Sequence, residues 1–173
     1  MIVERTADRI AQAIYNKIPE QSSSIPVLRY GMIIVLNTAL TIGFAMGLGS
    51  VLGKPGETAI VLLVIALLRM ISGGFHFSAS KWCTLFTTGT VVLIPHVVLT
   101  SVSYWVLAIC SILLFLWFSP SNLEKQSRIP RKYYPVLKII SVGVVVVGVV
   151  LNWDIILCSI FVQALSLIRF ERG

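Results

Sequence analysis

The chain contains no charged residue between Trp82 and Leu123, a stretch that reads WCTLFTTGTVVLIPHVVLTSVSYWVLAICSILLFLWFSPSNL. A helix that crosses a bilayer needs about 20 apolar residues, so this stretch is long enough for two crossings. A second uncharged stretch runs from Tyr30 to Gly53. Across the whole chain 57% of the residues are hydrophobic and only 12% are charged, whereas ordinary soluble domains carry about 25% charged residues. The sequence therefore predicts an all-α integral membrane protein.

Six membrane-spanning helices are predicted to follow an N-terminal amphipathic helix, all within a single membrane domain over residues 1–173. The predicted spans cover about residues 30–53, 56–72, 82–100, 103–119, 135–152 and 154–170. One long tilted span is the alternative to a break between the third and fourth spans. Residues 2–18 carry apolar side chains at three- and four-residue spacing, which is typical of a helix lying in the membrane interface. This helix is either a simple anchor or a surface that contacts a substrate or partner.

Lysine and arginine are distributed unequally between the two sides of the predicted bundle. With the N-terminus in the cytoplasm, 13 of the 14 cations fall in cytoplasmic segments, and only Lys54 lies outside. This bias supports an even number of spans and predicts that both termini are cytoplasmic. It makes residues 120–134 a basic cytoplasmic loop. Since topology explains the net charge of +7, no nucleic-acid partner is expected.

The stretch from Arg69 to Cys83, RMISGGFHFSASKWC, holds the side chains most capable of chemistry and is predicted to lie at the cytoplasmic face. On one continuous helix, His76 and Cys83 would share a face but lie about 10.5 Å apart along the axis. Proton transfer needs a separation of about 2.6–3.2 Å. A catalytic pair therefore requires Gly73-Gly74 to end one helix and Cys83 to lie in the first turn of the next. There the helix N-terminus would stabilise a thiolate.

Other functions for the cysteines and histidines are less well supported by the sequence. One cysteine and one histidine supply two metal ligands where zinc needs at least three, so neither a metal nor another cofactor is expected. Cys110 and Cys158 are interpreted as small buried hydrophobic residues, and His96 as structural. The pair Gly43 and Gly47 predicts close helix packing, either within the subunit or across a dimer.

The pattern Arg-x3-Gly-Gly-x-His-x6-Cys, formed by Arg69, Gly73, Gly74, His76 and Cys83, resembles the signature of the accessory gene regulator B (AgrB) family of bacterial membrane endopeptidases. The similarity extends to chain length, the amphipathic N-terminal segment and a basic, proline-containing segment two thirds along the chain. The resemblance implies that Cys83 is the nucleophile and His76 its base. Arg69 and the two glycines would support their activity.

The resemblance also implies partners and a location. The substrate would be a short amphipathic propeptide with an acidic C-terminal part, and the enzyme would be a homodimer in the bacterial cell membrane. The basic loop has two interpretations. Its cations are explained by positive-inside topology alone, or they dock the acidic part of the peptide. The candidate substrate-binding residues are Lys125, Arg128, Arg131 and Lys132.

Together these inferences predict a membrane-embedded cysteine endopeptidase that processes an autoinducer propeptide used in quorum sensing. Cys83 would attack a peptide carbonyl and form an acyl-thioester. As the resemblance implies, a cyclic thiolactone or lactone would then be released. No third catalytic group is visible, so the site works either as a dyad or with a Ser, an Asn or a backbone carbonyl. The alternative is a non-enzymatic membrane transporter or scaffold for peptide export.

Overall fold

Seven α-helices form the part of the chain that the computed structural model describes, namely residues 2–18, 24–74, 80–121 and 130–168. The helices are α1 (Ile2–Lys17), α2 (Ile25–Val51), α3 (Pro55–Ser72), α4 (Ser80–Leu93), α5 (Ser101–Phe118), α6 (Tyr134–Val150) and α7 (Asp154–Ser166). Short 3-10 turns lie at Ile94–His96 and Arg131–Tyr133. The predicted all-α class is confirmed for these residues.

Three helices, α2, α3 and α5, are long and apolar enough to cross a membrane. Helices α6 and α7 are apolar but shorter. Helix α4 has 14 residues and rises about 21 Å, less than the roughly 30 Å of a bilayer's hydrocarbon core. A helix occupies part of each predicted span, and the number of crossings stays a prediction.

The breaks between neighbouring helices result from local sequence. Helix α4 ends at Leu93, just before Pro95, and residues 97–100 are not helical. Thr100 then caps α5 because its side-chain oxygen accepts a hydrogen bond from the Ser103 N–H at 3.3 Å. The alternative of one long helix across this region is therefore wrong. The predicted turn between the last two helices is also present, with Asn152 at a φ of 48°.

Helix α3 is central, since it packs against α2, α4, α6 and α7. Helix α5 packs on α6 and α7. The largest buried side chains of the core between these helices include Leu68, Phe115 and Ile160. Burial of these side chains holds α3, α5 and α7 against one another. It also places the end of α3 inside the bundle.

The N-terminal helix α1 packs mainly against α2. Ala7 and Ala11 are fully buried, and the Arg29 Nε lies 2.9 Å from a carboxylate oxygen of Asp8. Both partners of this ion pair are partly exposed, so we expect it to orient α1 more than to stabilise the fold. The location of α1 in the membrane interface stays a prediction.

The small residues of α2 pack differently from the sequence prediction. Gly43 and Gly47 are exposed, and a Cβ added to either would meet nothing within 4 Å. Their predicted close packing within the subunit is therefore wrong. Gly49 makes the close approach instead, since a Cβ there would lie 2.5 Å from the Thr58 hydroxyl oxygen of α3. A pair of glycines at helical spacing does not specify which face meets the neighbouring helix.

The two ends of the bundle carry different polar groups. At one end the Lys54 ammonium donates to the Pro95 carbonyl at 2.6 Å, and the Leu99 N–H donates to the Asp154 carboxylate at 3.1 Å. The other end of α3 and the beginning of α4 form the opposite end, where Cys83 lies. This separation agrees with the sequence prediction that Lys54 and the Arg69–Cys83 stretch lie on different sides. Which end faces the cytoplasm stays a prediction.

Candidate functional site around Cys83 and the glycine turn

Helix α3 ends where a catalytic pairing of His76 and Cys83 requires it to end. Gly73 has a φ of 74° and Gly74 a φ of 138°, values that strongly favour glycine. The Gly73 N–H closes the helix by donating to the Arg69 carbonyl at 3.0 Å. Helix α4 begins at Ser80. The predicted end of α3 at Gly73-Gly74 is therefore confirmed, and no continuous helix runs from Arg69 to Cys83.

Cys83 lies in the first turn of α4, as predicted, and is half-buried. The Arg69 guanidinium, in the last turn of α3, is close enough to interact electrostatically with it. The neighbouring Thr84 hydroxyl donates to the side-chain oxygen of Asn37 at 3.3 Å, which joins α4 to α2. The thiol thus lies near the N-terminus of α4 and near the end of α3 that carries Arg69.

A buried hydrogen-bonded cluster holds the glycine turn from two sides. The Gly74 N–H donates to the Ser121 carbonyl at 3.1 Å, and the Ser121 N–H donates to the Ser72 carbonyl at 2.9 Å. From α7, the Gln163 amide donates to the Gly73 carbonyl at 2.8 Å. We call these residues, Ser72, Gly73, Gly74, Ser121 and Gln163, the glycine junction. It joins the end of α3 to α7 and to the segment after α5.

Gly74 has no room for a side chain. A Cβ at this position would lie 2.7 Å from the Ser166 hydroxyl oxygen and 3.3 Å from the Gln163 amide nitrogen. The positive φ would strain any other residue as well. Steric fit and backbone conformation therefore both require glycine here.

Replacing Gly74 with alanine is expected to lower the free energy of unfolding by about 1–3 kcal/mol, measured by thermal unfolding, because the positive φ strains alanine and its methyl meets Ser166. Adding Ser166→Ala removes the hydroxyl that the new methyl meets but not the strain, so partial recovery is expected. Gly143→Ala is the control, since Gly143 is exposed with nothing within 4 Å of an added Cβ. A Gly74→Ala chain as stable as the Gly143→Ala chain would refute this requirement for glycine.

Several predicted site residues lie outside the described residues. These are His76, Lys125 and Arg128. Arg131 begins a 3-10 turn. Lys132 is exposed and holds its ammonium 5.0 Å from the centre of the Tyr133 ring. The pairing of His76 with Cys83 and the use of the basic loop stay predictions.

The remaining cysteines and the second histidine lie away from Cys83. All three cysteines are free. Cys158 is buried, as predicted, but Cys110 is exposed on α5, so its predicted burial is wrong. An apolar sequence context does not distinguish a core position from an outward-facing one in a membrane helix. His96 lies beyond the opposite end of α4 and is exposed. Among the described residues, no three His, Cys, Asp or Glu side chains gather as a metal site.

Ser121 and Gln163 were not among the residues predicted from the sequence. Gln163 is a buried amide in an otherwise apolar part of α7, and only its polarity in that setting could have drawn attention to it. Ser121 is fully buried. Its hydroxyl, like that of Ser119, has no hydrogen-bond partner within the described part of the chain. Nothing in the local sequence links either residue to the glycine turn.

The chain is similar to several known bacterial proteins. An AgrB-like protein of Halalkalibacterium halodurans is 26% identical over 116 residues, which cover 67% of this chain and 59% of that protein. FsrB of Enterococcus faecalis is 28% identical over 151 residues, covering 83% of this chain and 59% of that protein. AgrB-like protein 2 of Clostridium perfringens is 27% identical over 84 residues, covering 49% and 39%.

The chain therefore spans about three fifths of the length of the first two relatives. No solved structure matches it. The family model described as accessory gene regulator B matches residues 7–168, nearly the whole chain. That match includes the glycine turn at Gly73-Gly74, and it also includes Cys83 and Gln163. The chain belongs to the accessory gene regulator B (AgrB) family.

Proposed function

We propose that the chain is a membrane-embedded cysteine endopeptidase that processes a short autoinducer propeptide for quorum sensing. The observation that carries the proposal is the position of Cys83 in the first turn of α4, beside Arg69 and after a helix break at Gly73-Gly74. Reactive cysteines are typically found at a helix N-terminus beside a cationic side chain, whereas a structural cysteine needs neither. Family membership supports the role in peptide processing.

The proposed reaction begins with transfer of the Cys83 thiol proton to His76. The thiolate then attacks a propeptide carbonyl carbon, and the peptide C–N bond breaks as His76 returns the proton to the leaving amine. The N-terminal part of the propeptide remains on Cys83 as a thioester. An internal Cys or Ser of that part attacks the thioester, which closes the ring and releases the Cys83 sulfur.

The propeptide would be recognised through attraction between opposite charges. The basic loop at 120–134 carries cations that complement an acidic C-terminal peptide segment, and Lys132 of this loop is exposed. The loop begins near Ser121, which is bonded to Gly74 and Ser72. A peptide that reaches Ser121 would therefore lie close to the glycine turn. We place this site at the cytoplasmic face of a bacterial membrane, in a homodimer.

Alkylation of single-cysteine variants in vesicles tests the proposed activation of Cys83. The chain that retains only Cys83 is expected to react with iodoacetamide near neutral pH about tenfold faster than a model thiol. Arg69→Gln should slow this reaction, and Arg69→Lys, which keeps the positive charge, should slow it less. The chain that retains only Cys110 is the matched control, whose rate should not depend on position 69. Excess propeptide should protect Cys83.

The rival function, a transporter or scaffold for peptide export, predicts a different outcome. Cys83 would then react at the rate of an ordinary thiol, and substitutions of Arg69 would not change that rate. The propeptide would be carried or held without being cut. Such results in a folded, membrane-inserted protein would overturn the proposal.

A further inference from the structure

Gln163 stands out among the polar groups that the proposed reaction does not use. It is 1% exposed and lies in the interior of α7, where the surrounding side chains are mostly apolar. A buried amide is costly unless it is hydrogen-bonded. Its nitrogen donates to the Gly73 carbonyl at 2.8 Å and lies 3.3 Å from the Ser72 hydroxyl oxygen. Both partners belong to the glycine turn at the end of α3.

The Gly73 carbonyl needs this partner. Gly73 ends α3 with a positive φ, so its carbonyl no longer points along the helix axis. A buried carbonyl without a donor would be unfavourable. Gln163 supplies the donor from a helix that lies 90 residues away in sequence. The bond therefore fixes the direction in which the chain leaves α3.

The conformation of Gly73 and Gly74 matters because the residues proposed to react follow them closely in the sequence. His76 is two residues after Gly74, and Cys83 is in the first turn of the next helix. The same turn is bonded on its other side to Ser121, near the start of the basic loop. We propose that Gln163 is a positioning residue, whose hydrogen bond to the Gly73 carbonyl holds the glycine turn so that Cys83 and its base react. This inference rests on the proposed endopeptidase function.

Gln163→Met tests the inference, because it removes the donor while keeping an unbranched side chain of similar length. We expect kcat for propeptide cleavage to fall about 10- to 100-fold, the range for a misplaced catalytic group. KM should change little, since the Gln163 side chain is buried and its amide is bonded to the Gly73 carbonyl. The rate of Cys83 alkylation should fall as well. A purely structural residue would instead lower the amount of folded protein and leave kcat per folded molecule unchanged.

Gln163→Glu is the second variant, and it keeps the test decisive if the methionine variant fails to fold. A carboxyl buried among apolar helices stays protonated, so it still donates to the Gly73 carbonyl. Its kcat should remain within about threefold of the wild type, since the donor that positions the turn is retained. Ser159→Ala is the matched control, because Ser159 is also buried in α7 and its hydroxyl donates to the Ile155 carbonyl of the same helix. It should leave kcat unchanged.

The outcomes separate the two proposals. If the wild type neither cleaves the propeptide nor shows a reactive Cys83, the endopeptidase function fails. If the wild type cleaves it and folded Gln163→Met does so with the same kcat, the positioning role is overturned. A folded Gln163→Glu variant with kcat more than about tenfold below that of Ser159→Ala would also overturn it.

Discussion

A Cys83→Ala variant reconstituted in lipid vesicles is expected to lose propeptide cleavage entirely, a decrease of at least about 1,000-fold. The reason is chemical, because the proposed reaction passes through a bond to the Cys83 sulfur and alanine offers no nucleophile. Folding should be preserved, since Cys83 is only half-buried and the change removes a single heavy atom. The measurement is the release of the C-terminal propeptide fragment over time.

Cys110→Ala is the control for this substitution. Cys110 is exposed on α5, so its variant should cleave the propeptide at the wild-type rate. The comparison separates the loss of the nucleophile from any general effect of removing a thiol. Equal activity of the two variants would show that the peptide bond is broken without Cys83.

A His76→Ala variant is expected to cleave the propeptide about 1,000-fold more slowly, within the range for loss of a general base. The loss should fall on kcat, because His76 is proposed to transfer a proton and not to bind the peptide. Alkylation of Cys83 should slow as well. The assay is the same fragment release, measured at saturating propeptide.

His96→Ala is the matched control, since the chain contains two histidines and His96 lies beyond the opposite end of α4. Its activity should equal that of the wild type. The proton-transfer role would be refuted by a His76→Ala variant that cleaves as fast as the His96→Ala variant.

The helical part of the fold could be predicted because its causes are local. Long uncharged stretches require helices in a bilayer, and Gly73-Gly74 and Pro95 mark ends that glycine and proline impose. The break after the third predicted span is fixed by the cap that Thr100 forms. These features depend on neighbours in sequence, so the sequence alone was sufficient for them.

Packing between helices could not be predicted in the same way. Gly49, and not Gly43 or Gly47, makes the close contact with α3. Cys110 faces outward although its surroundings in sequence are as apolar as those of Cys158. In a membrane protein both the core and the lipid-facing surface are apolar, so hydrophobicity does not tell them apart.

For the candidate site too, the local feature could be predicted from the sequence and the contacts between distant residues could not. The spacing of His76 and Cys83 led to the requirement for a helix break, and the break is present. The partners that hold it, Ser121 and Gln163, come from distant parts of the chain. Their role depends on how α5 and α7 pack in the bundle with α3, which no local pattern encodes.

The most direct test of the central claim is mass spectrometry of the enzyme during turnover. A propeptide whose internal Cys or Ser is replaced by Ala cannot close the ring, so the acyl-enzyme should accumulate. The account predicts the N-terminal propeptide fragment attached to Cys83 through a bond that hydroxylamine cleaves. Propeptide cleavage without any adduct on Cys83, or with the adduct on another residue, would contradict it.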